Sequence, residues 1–527
     1  MKRASVAAVL ATVVALVLSP AASAIDRVNT QRLRNLVTVD GILQNERALQ
    51  RIAIANDGNR AATTAGYDAS VDYVVSRLRD AGYRVSLDEF DFPTWELNGP
   101  STLAEISPTA RTFTENTDYI VSQFSAGADV TANVVPTNDI QIPPPGGAGT
   151  GTSGCEPSDF PANTAGNIAL MQRGTCPFVQ KYQNAKDAGA VAALIFNDGF
   201  EGRTDPLFIT SPPNIGIPTI MVSSAVGESL YNEAQAGTVQ LHVVVNATTT
   251  PNTEVNVIAD SRRGNPNRTI VLGGHLDSVE AGPGINDNGS GTSTILEIAE
   301  QVPKLRAVPR NRLRFAFWGA EEAGLVGSTA YVDELVAGGD IDQIEANLNF
   351  DMLGSVNFVR FVYDGDLSDS TPPPSGAAPG SAQIEHLFQR YFQSQGLVSD
   401  PTAFDGRSDY GPFIVNGVPA GGLFSGAEGI KTERQEAVYG GFAGMPYDPC
   451  YHVPPTNGAC DDYFNLSNTS LDQMSDAAAH AGWTLARSRS PITQEPTATA
   501  NKAKKAKSAK RAKRGKFWTY QGPFRVR

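Results

Sequence analysis

The chain has 527 residues, of which 41% are hydrophobic and 18% charged, a globular composition long enough for about two domains. Eleven of its basic residues lie in residues 502–527, which contain no acidic residue. Without these eleven and the two basic residues at the N-terminus, the chain has 29 basic and 55 acidic residues, a net charge of −26. An acidic body of this kind excludes nucleic acid as the expected partner.

The N-terminus predicts an export signal. Lys2 and Arg3 precede an apolar run from Val6 to Leu18, and the small residues from Ala22 to Ala24 offer a cleavage site. The run is too short to cross a bilayer and no other stretch is long enough, so no transmembrane segment is expected. We therefore expect a secreted monomer from which the signal peptide, residues 1–24, is cleaved near Ala24.

The chain contains four cysteines, Cys155, Cys176, Cys450 and Cys460. Disulfides persist outside the cytosol, and four cysteines allow three pairings. The pairs Cys155–Cys176 and Cys450–Cys460 are favoured because each is local, and free thiols are the alternative. No pair has C-x-x-C spacing, so a thiolate metal site is not expected.

The first half of the chain contains two regions that differ in hydrophobic pattern and composition. Ile42 to Ile54 and Ser70 to Leu78 have the apolar spacing of amphipathic helices, and residues 83–92 alternate as a strand. Residues 125–250 instead combine a Pro/Gly-rich stretch with short apolar strands and one helix from Phe178 to Ala188. Residues 125–250 hold no carboxylate cluster, so we expect no reaction centre there.

From residue 255 onward strands and helices alternate, which predicts an α/β sheet covered by helices. Strands are predicted at 268–274, 312–318, 346–351 and 420–424. Helices are predicted at 292–302, 326–335, 382–395 and 471–486.

Polar residues follow three of these strands. His275 and Asp277 follow the first, Glu321 and Glu322 the second, and Asp351 ends the third. Taken singly, each is typical of a polar loop or a turn cap. Ligands bind at the carboxyl ends of strands in open α/β sheets, and imidazole with several carboxylates suits a two-zinc cluster. The coincidence at three strand ends therefore favours a metal site.

Five motifs occur in an order that resembles the secreted M28-type zinc aminopeptidases, of the kind found in Streptomyces: GGHLDS, GINDNGSG, FWGAEEAGLVGS, NFDMLG and CYH. The likeness covers residues 42–120 and 255–488. It implies a zinc-exopeptidase α/β/α sandwich with a mixed central sheet, formed by residues 25–124 and 251–490. GNIALMQRGTCPFVQKYQNAKDAGAVAALIFND resembles a protease-associated (PA) domain, expected as a mainly-β insert at 125–250.

The resemblance implies two Zn²⁺ ions per chain. His275 and Asp351 would bind one ion. Glu322 and His452 would bind the other, and Asp287, in the glycine-rich loop after His275, would bridge the two.

The resemblance also implies roles around the ions. Glu321 would be the general base rather than a ligand, and Tyr451 would hydrogen-bond the scissile carbonyl or its oxyanion. Asp277 would orient the imidazole of the zinc-binding histidine before it. Glu321 and Asp351 would bind the free α-amino group of the substrate, helped by the segment around Arg407, for which a structural salt bridge is the alternative.

A calcium site is a further implication. Asp472 and Asp476 match calcium ligands of some family members, and their i,i+4 spacing puts them on one helix face. The N-terminal carboxylate of that site has no clear counterpart, since Asp40 is only nearby. Two solvated acids near a helix start are the alternative.

The expected function is that of a secreted zinc aminopeptidase that removes N-terminal residues, large apolar ones, from peptides or proteins. A carboxypeptidase of the same superfamily, with Arg407 binding the substrate carboxylate, is one alternative. A non-catalytic protein whose PA domain binds a partner is another. The basic tail, residues 491–527, has three open interpretations: contact with an anionic cell surface, a removable extension, or a solvated low-complexity segment.

Overall fold

The computed structural model describes residues 25, 27–369, 376–453 and 460–492. The expected signal peptide and residues 493–527 of the basic tail lie outside the described residues. The N-terminal elements are α1 (Gln31–Arg34), α2 (Val39–Ala55), α3 (Ala65–Asp80), β1 (Arg84–Asp91) and β2 (Thr94–Leu97). Helices α2 and α3 begin earlier than the apolar spacing predicts, because the Thr38 and Thr64 side chains accept hydrogen bonds from the first turn of each.

The middle of the chain forms a separate set of elements: β3 (Thr102–Ser107), β4 (Arg111–Thr112), β5 (Tyr119–Val121), β6 (Ala128–Pro136), β7 (Ile168–Gln172), α4 (Phe178–Asp187), β8 (Ala192–Phe196), β9 (Thr219–Val222), α5 (Ser224–Ala236), β10 (Gln240–Val245) and β11 (Ala247–Thr250).

The C-terminal elements carry the strands expected to hold the site: β12 (Thr253–Asp260), β13 (Asn265–His275), α6 (Gly291–Gln301), β14 (Asn311–Trp318), α7 (Val326–Gly338), β15 (Ile344–Phe350), β16 (Phe361–Tyr363), α8 (Ser381–Ser394), β17 (Asp400–Thr402), α9 (Gly411–Val415), β18 (Ala420–Phe424), α10 (Glu433–Tyr439) and α11 (Asn468–Arg487).

The central sheet of the described residues has eight strands in the order β1-β12-β14-β13-β15-β18-β16-β17. Strands β14, β13, β15 and β18 run parallel, and β17 is parallel to β16. The pairs β1–β12, β12–β14 and β16–β18 are antiparallel, so the sheet is mixed. Ile270 and Leu272 of β13 pack into one core, and Val271 between them packs into another. The alternation of a strand thus buries both faces under helices, which confirms the α/β/α sandwich.

A second sheet forms a domain of its own, in the order β4-β3-β10-β6-β7-β8-β9-β5. Helix α5 packs on one face and α4 on the other. Strands β3, β4 and β5, residues 102–121, belong to this sheet rather than to the central one, so the boundary expected at residue 125 is too late. The reason is a long-range pairing: Leu103 of β3 lies opposite Val243 of β10, which the local pattern does not reveal.

Both favoured cysteine pairs form disulfides, Cys155–Cys176 in the inserted domain and Cys450–Cys460 after β18. A two-stranded ribbon of β2 and β11 joins the two domains, because it holds the outgoing and returning chain together. Within the described residues, no helix is long and apolar enough to cross a membrane.

Candidate metal centre

Three strands deliver their polar ends to one edge of the central sheet, as the sequence predicts. His275 ends β13 opposite Trp318 of β14, and the parallel register places Glu321 and Glu322 just beyond it. Strand β15 runs parallel on the other side of β13 and ends directly before Asp351. The side chains converge because the carboxyl ends of parallel strands meet at one edge.

Glycine allows the backbone to pack tightly at this edge. A Cβ atom on Gly274 would lie 2.7 Å from the carbonyl oxygen of Phe350, and one on Gly291 would lie 2.1 Å from the same oxygen. Both distances are shorter than side chains tolerate, so any larger residue would push the loop away from the strand that carries Asp351.

Asp287 lies at the centre of the convergent side chains. Its Oδ1 atom is 3.3 Å from Nε2 of His275, and its Oδ2 atom is 3.0 Å from Nε2 of His452. One carboxylate therefore faces a different histidine with each of its oxygens, which is the arrangement of a bridging ligand.

Each histidine also faces a second carboxylate. Nε2 of His275 is 3.3 Å from Oδ1 of Asp351, and Nε2 of His452 is 3.0 Å from Oε2 of Glu322. Glu321 lies farther from the histidines, with its Oε2 atom 3.9 Å from Nε2 of His275. We call the five inner residues, His275, Asp287, Glu322, Asp351 and His452, the candidate metal cluster.

The residues of the candidate metal cluster fit zinc. A ring nitrogen donates at most one hydrogen bond, yet each Nε2 atom faces two carboxylates, and the buried atoms Glu322 Oε1 and Asp351 Oδ1 have no hydrogen-bond partner. Ligand atoms about 2.0–2.1 Å from a tetrahedral Zn²⁺ lie about 3.3–3.4 Å apart, close to the spacings between these atoms. The donor set, imidazole and carboxylate without thiolate, is also one that zinc accepts.

The electrostatics of the candidate metal cluster favour bound cations. Burial, together with the nearby Asp287, raises the pKa of Glu322 to about 7. Burial likewise raises the pKa of Glu321 well above its ordinary value. Burial opposes ionisation of Asp287 as well, but hydrogen bonds from both histidines hold its pKa below the ordinary value. Several carboxylates thus share a water-poor site, where divalent cations would neutralise their charge.

Asp277 supports the candidate metal cluster in a way that the sequence did not predict. Its carboxylate accepts hydrogen bonds from the backbone N–H groups of Glu321 and Glu322, each at 3.2 Å. Nδ1 of His275 lies 3.1 Å from the Asp277 carbonyl oxygen and 3.6 Å from its Oδ1 atom. Asp277 therefore holds the Glu321–Glu322 loop with its side chain and contacts the imidazole more closely with its backbone.

A buried network that sequence reasoning missed holds Asp287 in place. Asp461 is buried and accepts hydrogen bonds from the backbone N–H groups of Asn286, at 2.8 Å, and Asp287, at 3.0 Å. Asp448 accepts a hydrogen bond from the Asn286 side chain and another from the Cys450 backbone N–H. The network thus joins the loop of Asp287 to the loop of His452.

Arg60 is a second missed contributor. Its side chain is fully buried, and it donates hydrogen bonds to the carbonyl oxygens of Pro283, at 2.9 Å, and Gly284, at 2.7 Å. These carbonyl groups belong to the loop that runs from His275 to Asp287, so the guanidinium braces that loop. The local signal, GNRAATTAGY, indicates only a loop, because the partners of Arg60 lie more than 200 residues away.

Asp461→Asn is expected to weaken zinc binding about 10–100-fold, the usual effect of removing a hydrogen-bond partner of a metal ligand. The amide keeps one oxygen for one of the two backbone N–H groups, but its N–H₂ group would face the other and loosen the Asp287 loop. Competition with a fluorescent zinc chelator measures the change. The matched control is Asp462→Asn, next in the chain, whose side chain accepts a hydrogen bond from the Phe464 N–H and from no other group among the described residues. Equal zinc affinity in both variants would contradict the bracing role.

Comparison with known proteins assigns each of the two domains to a family. A family model described as Peptidase family M28 matches residues 256–482, and one described as PA domain matches residues 130–230. The chain is 45% identical over 479 residues to an aminopeptidase of Pseudomonas aeruginosa, which covers 90% of this chain and 85% of the relative. The chain belongs to peptidase family M28.

Other relatives of this M28 chain carry related names. A probable lipoprotein aminopeptidase of Mycobacterium tuberculosis is 40% identical, over 80% of each chain. A probable leucine aminopeptidase 2 of Aspergillus oryzae is 36% identical, over 88% of each. Among solved structures, an aminopeptidase from Aneurinibacillus has the same fold, with a TM-score of 0.59 and 24% identity over 89% of this chain and 98% of that one.

Tyr451 of the M28 chain lies beside the candidate metal cluster. Its ring stacks on His452, with ring centroids 3.9 Å apart, and it lines the same cavity as Glu321 and Asp351. Burial raises the pKa of Tyr451 and the neighbouring carboxylates raise it further, so the phenol stays protonated and can donate a hydrogen bond.

Arg407 lies at the same cavity, and both interpretations of it have a structural counterpart. Its Nη1 atom is 3.0 Å from Oε1 of Glu428, so it forms a salt bridge. Both side chains also line the cavity, and about half of each is exposed, at 47% and 56%. A substrate would therefore meet an ion pair here rather than an isolated cation.

The calcium prediction finds no support in the described residues. Asp476 faces Arg34, whose Nη1 atom is 3.0 Å from its Oδ2 atom, and it accepts a hydrogen bond from Tyr391. Neither Asp472 nor Asp476 belongs to any group of three or more potential ligands among these residues. A guanidinium thus already neutralises Asp476.

The cavity beside the candidate metal cluster, here called the cluster cavity, measures about 140 Å³. Its lining includes the carboxylates of Asp287, Glu321, Glu322 and Asp351 and further polar side chains around Arg407. It also includes the side chains of Met352, Tyr363, Phe424 and Ala427. A substrate group here would meet both carboxylates and apolar surface.

Proposed function

We propose that this protein is a secreted, zinc-dependent aminopeptidase that removes large apolar residues from the N-termini of peptides. The position of Asp287 between two histidines, with Glu321 beside them, carries the proposal. The names of relatives such as the 45% identical aminopeptidase of Pseudomonas aeruginosa support it. Export agrees with both disulfides, which persist in oxidising compartments.

The candidate metal cluster would hold two zinc ions. His275 and Asp351 would bind one. Glu322 and His452 would bind the other, and Asp287 would bridge them. Bound there, zinc would lower the pKa of a water molecule toward neutrality and polarise the peptide carbonyl.

Glu321 would move the proton. Its backbone N–H donates to Asp277. Its Oε2 atom lies 3.9 Å from Nε2 of His275, farther than the oxygens of Asp287 and Asp351 at 3.3 Å. Burial raises its pKa, which suits a group that accepts a proton from water and then delivers it to the leaving amine. Tyr451, a neutral donor on the same cavity, would hydrogen-bond the oxyanion that develops on the carbonyl.

The cluster cavity suits the N-terminal residue of a substrate. A protonated α-amino group would lie against Glu321 and Asp351, while an apolar side chain would pack on Met352 and Phe424. An acetylated N-terminus has no positive charge and would lose this interaction while the carboxylates remain desolvated. Free N-termini with large apolar side chains are therefore the expected substrates.

The two alternatives have less support. A carboxypeptidase needs a free cation for the substrate carboxylate, but the guanidinium of Arg407 is already paired with Glu428. A non-catalytic PA-domain protein would not need a complete set of ligands, and all five residues of the candidate metal cluster converge here.

Turnover of Leu-, Lys- and acetyl-Leu-4-nitroanilide, with and without a chelator, tests the proposal. We expect Leu-anilide to be the best substrate, the chelator to abolish its hydrolysis, and added Zn²⁺ to restore it. Acetyl-Leu-anilide is expected to react at least about a hundredfold more slowly, because a buried carboxylate pair loses its cationic partner. Rapid cleavage of the acetylated substrate, or full activity in chelator, would reject the assignment.

A further inference from the structure

A second cavity lies between the two domains. It measures about 310 Å³, in the size range of sites that enclose a ligand. Most of its lining is apolar: Phe92, Pro93 and Val326 from the peptidase domain, and Phe124, Val179 and Pro212 from the PA domain. We call it the interdomain cavity.

The register of the central sheet places the interdomain cavity at the same edge as the candidate metal cluster. Strands β1 and β12 pair Asp91 with Thr253. Strands β12 and β14 pair Val257 with Phe317 in antiparallel fashion, so Thr253 lies level with the residues just after β14. The end of β1 is thus two strands from Glu321, a separation of about 10 Å at the usual strand spacing.

The candidate metal cluster lies between the two cavities along this edge. The strand order is β1-β12-β14-β13-β15-β18. The cluster cavity includes Met352, after β15, and Phe424, at the end of β18, whereas the interdomain cavity lies at the end of β1. A peptide whose first side chain occupies the cluster cavity can therefore extend its remaining residues past the cluster towards β1.

The segment after β14 fixes how far that peptide must reach. Glu322 lines the cluster cavity, and Val326, four residues later, lines the interdomain cavity. The Leu325 N–H donates to the Glu321 carbonyl at 2.9 Å, so the segment is a turn, shorter than the ~14 Å of four extended residues. An extended peptide advances about 3.3 Å per residue and covers 10–14 Å in three or four residues.

We propose that the interdomain cavity is a substrate subsite that holds an apolar side chain of the third or fourth residue after the scissile bond. Its apolar lining suits such a side chain. Gln180 and Gln183 also line it, and each amide nitrogen already donates one hydrogen bond within the PA domain, to Cys155 and to Asp187. Asp91 at its rim disfavours an acidic residue. The inference rests on the proposed function, because it requires the N-terminal residue to lie at the candidate metal cluster.

The wall that the PA domain contributes is preformed. The Ser211 N–H donates to the Gln123 carbonyl at 2.9 Å, and the Thr210 hydroxyl donates to the Gln123 side chain at 3.0 Å. These bonds hold the loop that carries Pro212 against the segment that carries Phe124. The PA domain thereby selects peptides by their downstream sequence, a role separate from the chemistry at the cluster.

Hexapeptides of leucine followed by glycines, with one phenylalanine at position 3, 4, 5 or 6, test the subsite. We expect kcat/KM to be about tenfold higher with phenylalanine at position 4 or 5 than at position 3 or 6, because the cavity buries much of the ring. Val179→Trp, which fills the cavity, is expected to abolish this gain and leave Leu-4-nitroanilide turnover unchanged. Asn232→Trp, at an exposed position on α5, is the matched control and should keep the gain.

Val179→Ser, which removes contact area without adding bulk, is measured alongside and is expected to reduce the gain about threefold. It keeps the test decisive if the tryptophan variant does not fold. Equal kcat/KM for all hexapeptides, or an unchanged gain in a folded Val179 variant, would overturn the subsite. Failure of the wild type to hydrolyse Leu-4-nitroanilide would instead contradict the proposed function, and the inference with it.

Discussion

Glu321→Gln is expected to lower kcat for Leu-4-nitroanilide by about 10²–10⁴-fold, the usual contribution of a general base. The amide keeps the size of the side chain but cannot accept the proton from water. Zinc content should stay at the wild-type value, because Glu321 stands outside the candidate metal cluster, 3.9 Å from the nearest histidine nitrogen. Stopped assays for turnover and atomic absorption for zinc give both readings on one preparation.

The control for this variant is Glu280→Gln, the same change at an exposed position in the loop after β13. It should leave kcat unchanged. Full activity in Glu321→Gln would remove Glu321 as the base. Loss of zinc together with activity would instead make it a ligand, contrary to the proposed assignment.

Asp287→Asn is expected to have the larger effect on metal content. The bridging role requires one anionic oxygen for each ion, and an amide offers a single neutral oxygen. We expect zinc to fall from two ions per chain to fewer than one, and turnover to fall by at least about a thousandfold, since two-metal activation of water is lost. Atomic absorption and the anilide assay measure these outcomes.

Asp342→Asn, an exposed carboxylate in the turn before β15, is the matched control and should keep both zinc and activity. Circular dichroism would verify that the Asp287 variant is folded. A folded Asp287→Asn protein that still binds two zinc ions would contradict the bridge. Retention of one ion with partial activity would also reject it, because each ion depends on the same carboxylate.

Much of the fold follows from local patterns. Strand β18 has the bounds that its apolar run predicts, and β13, β14 and β15 differ from their predicted bounds by only a few residues. Elements with weaker patterns were missed, among them α5 and β12, because their apolar residues are interleaved with polar ones. The domain boundary was placed too late for a different reason: β3 joins the second sheet through a partner about 140 residues away.

The supporting network of the candidate metal cluster could not be predicted from the sequence. Asp461 is a polar residue after a cysteine, and nothing in its surroundings indicates that it holds the backbone of Asp287, 174 residues earlier. No local sequence pattern indicates the roles of Arg60 and Asp448 either. Their role depends on which loops meet, and that is decided by how the strands pair rather than by residue type.

The sequence by itself determined which residues are candidate ligands and the order in which they occur. His275, Glu322 and Asp351 end or follow strongly apolar strands, and both signals are local, because residue type and strand length are set by neighbouring residues. The tertiary structure alone decided that Asp287 lies between two histidines, that a buried carboxylate holds it there, and that a second cavity opens at the far end of the same sheet edge. Those features require contacts between residues distant in sequence: the folding of the peptidase domain brings the first two together, and the packing of the two domains forms the second cavity.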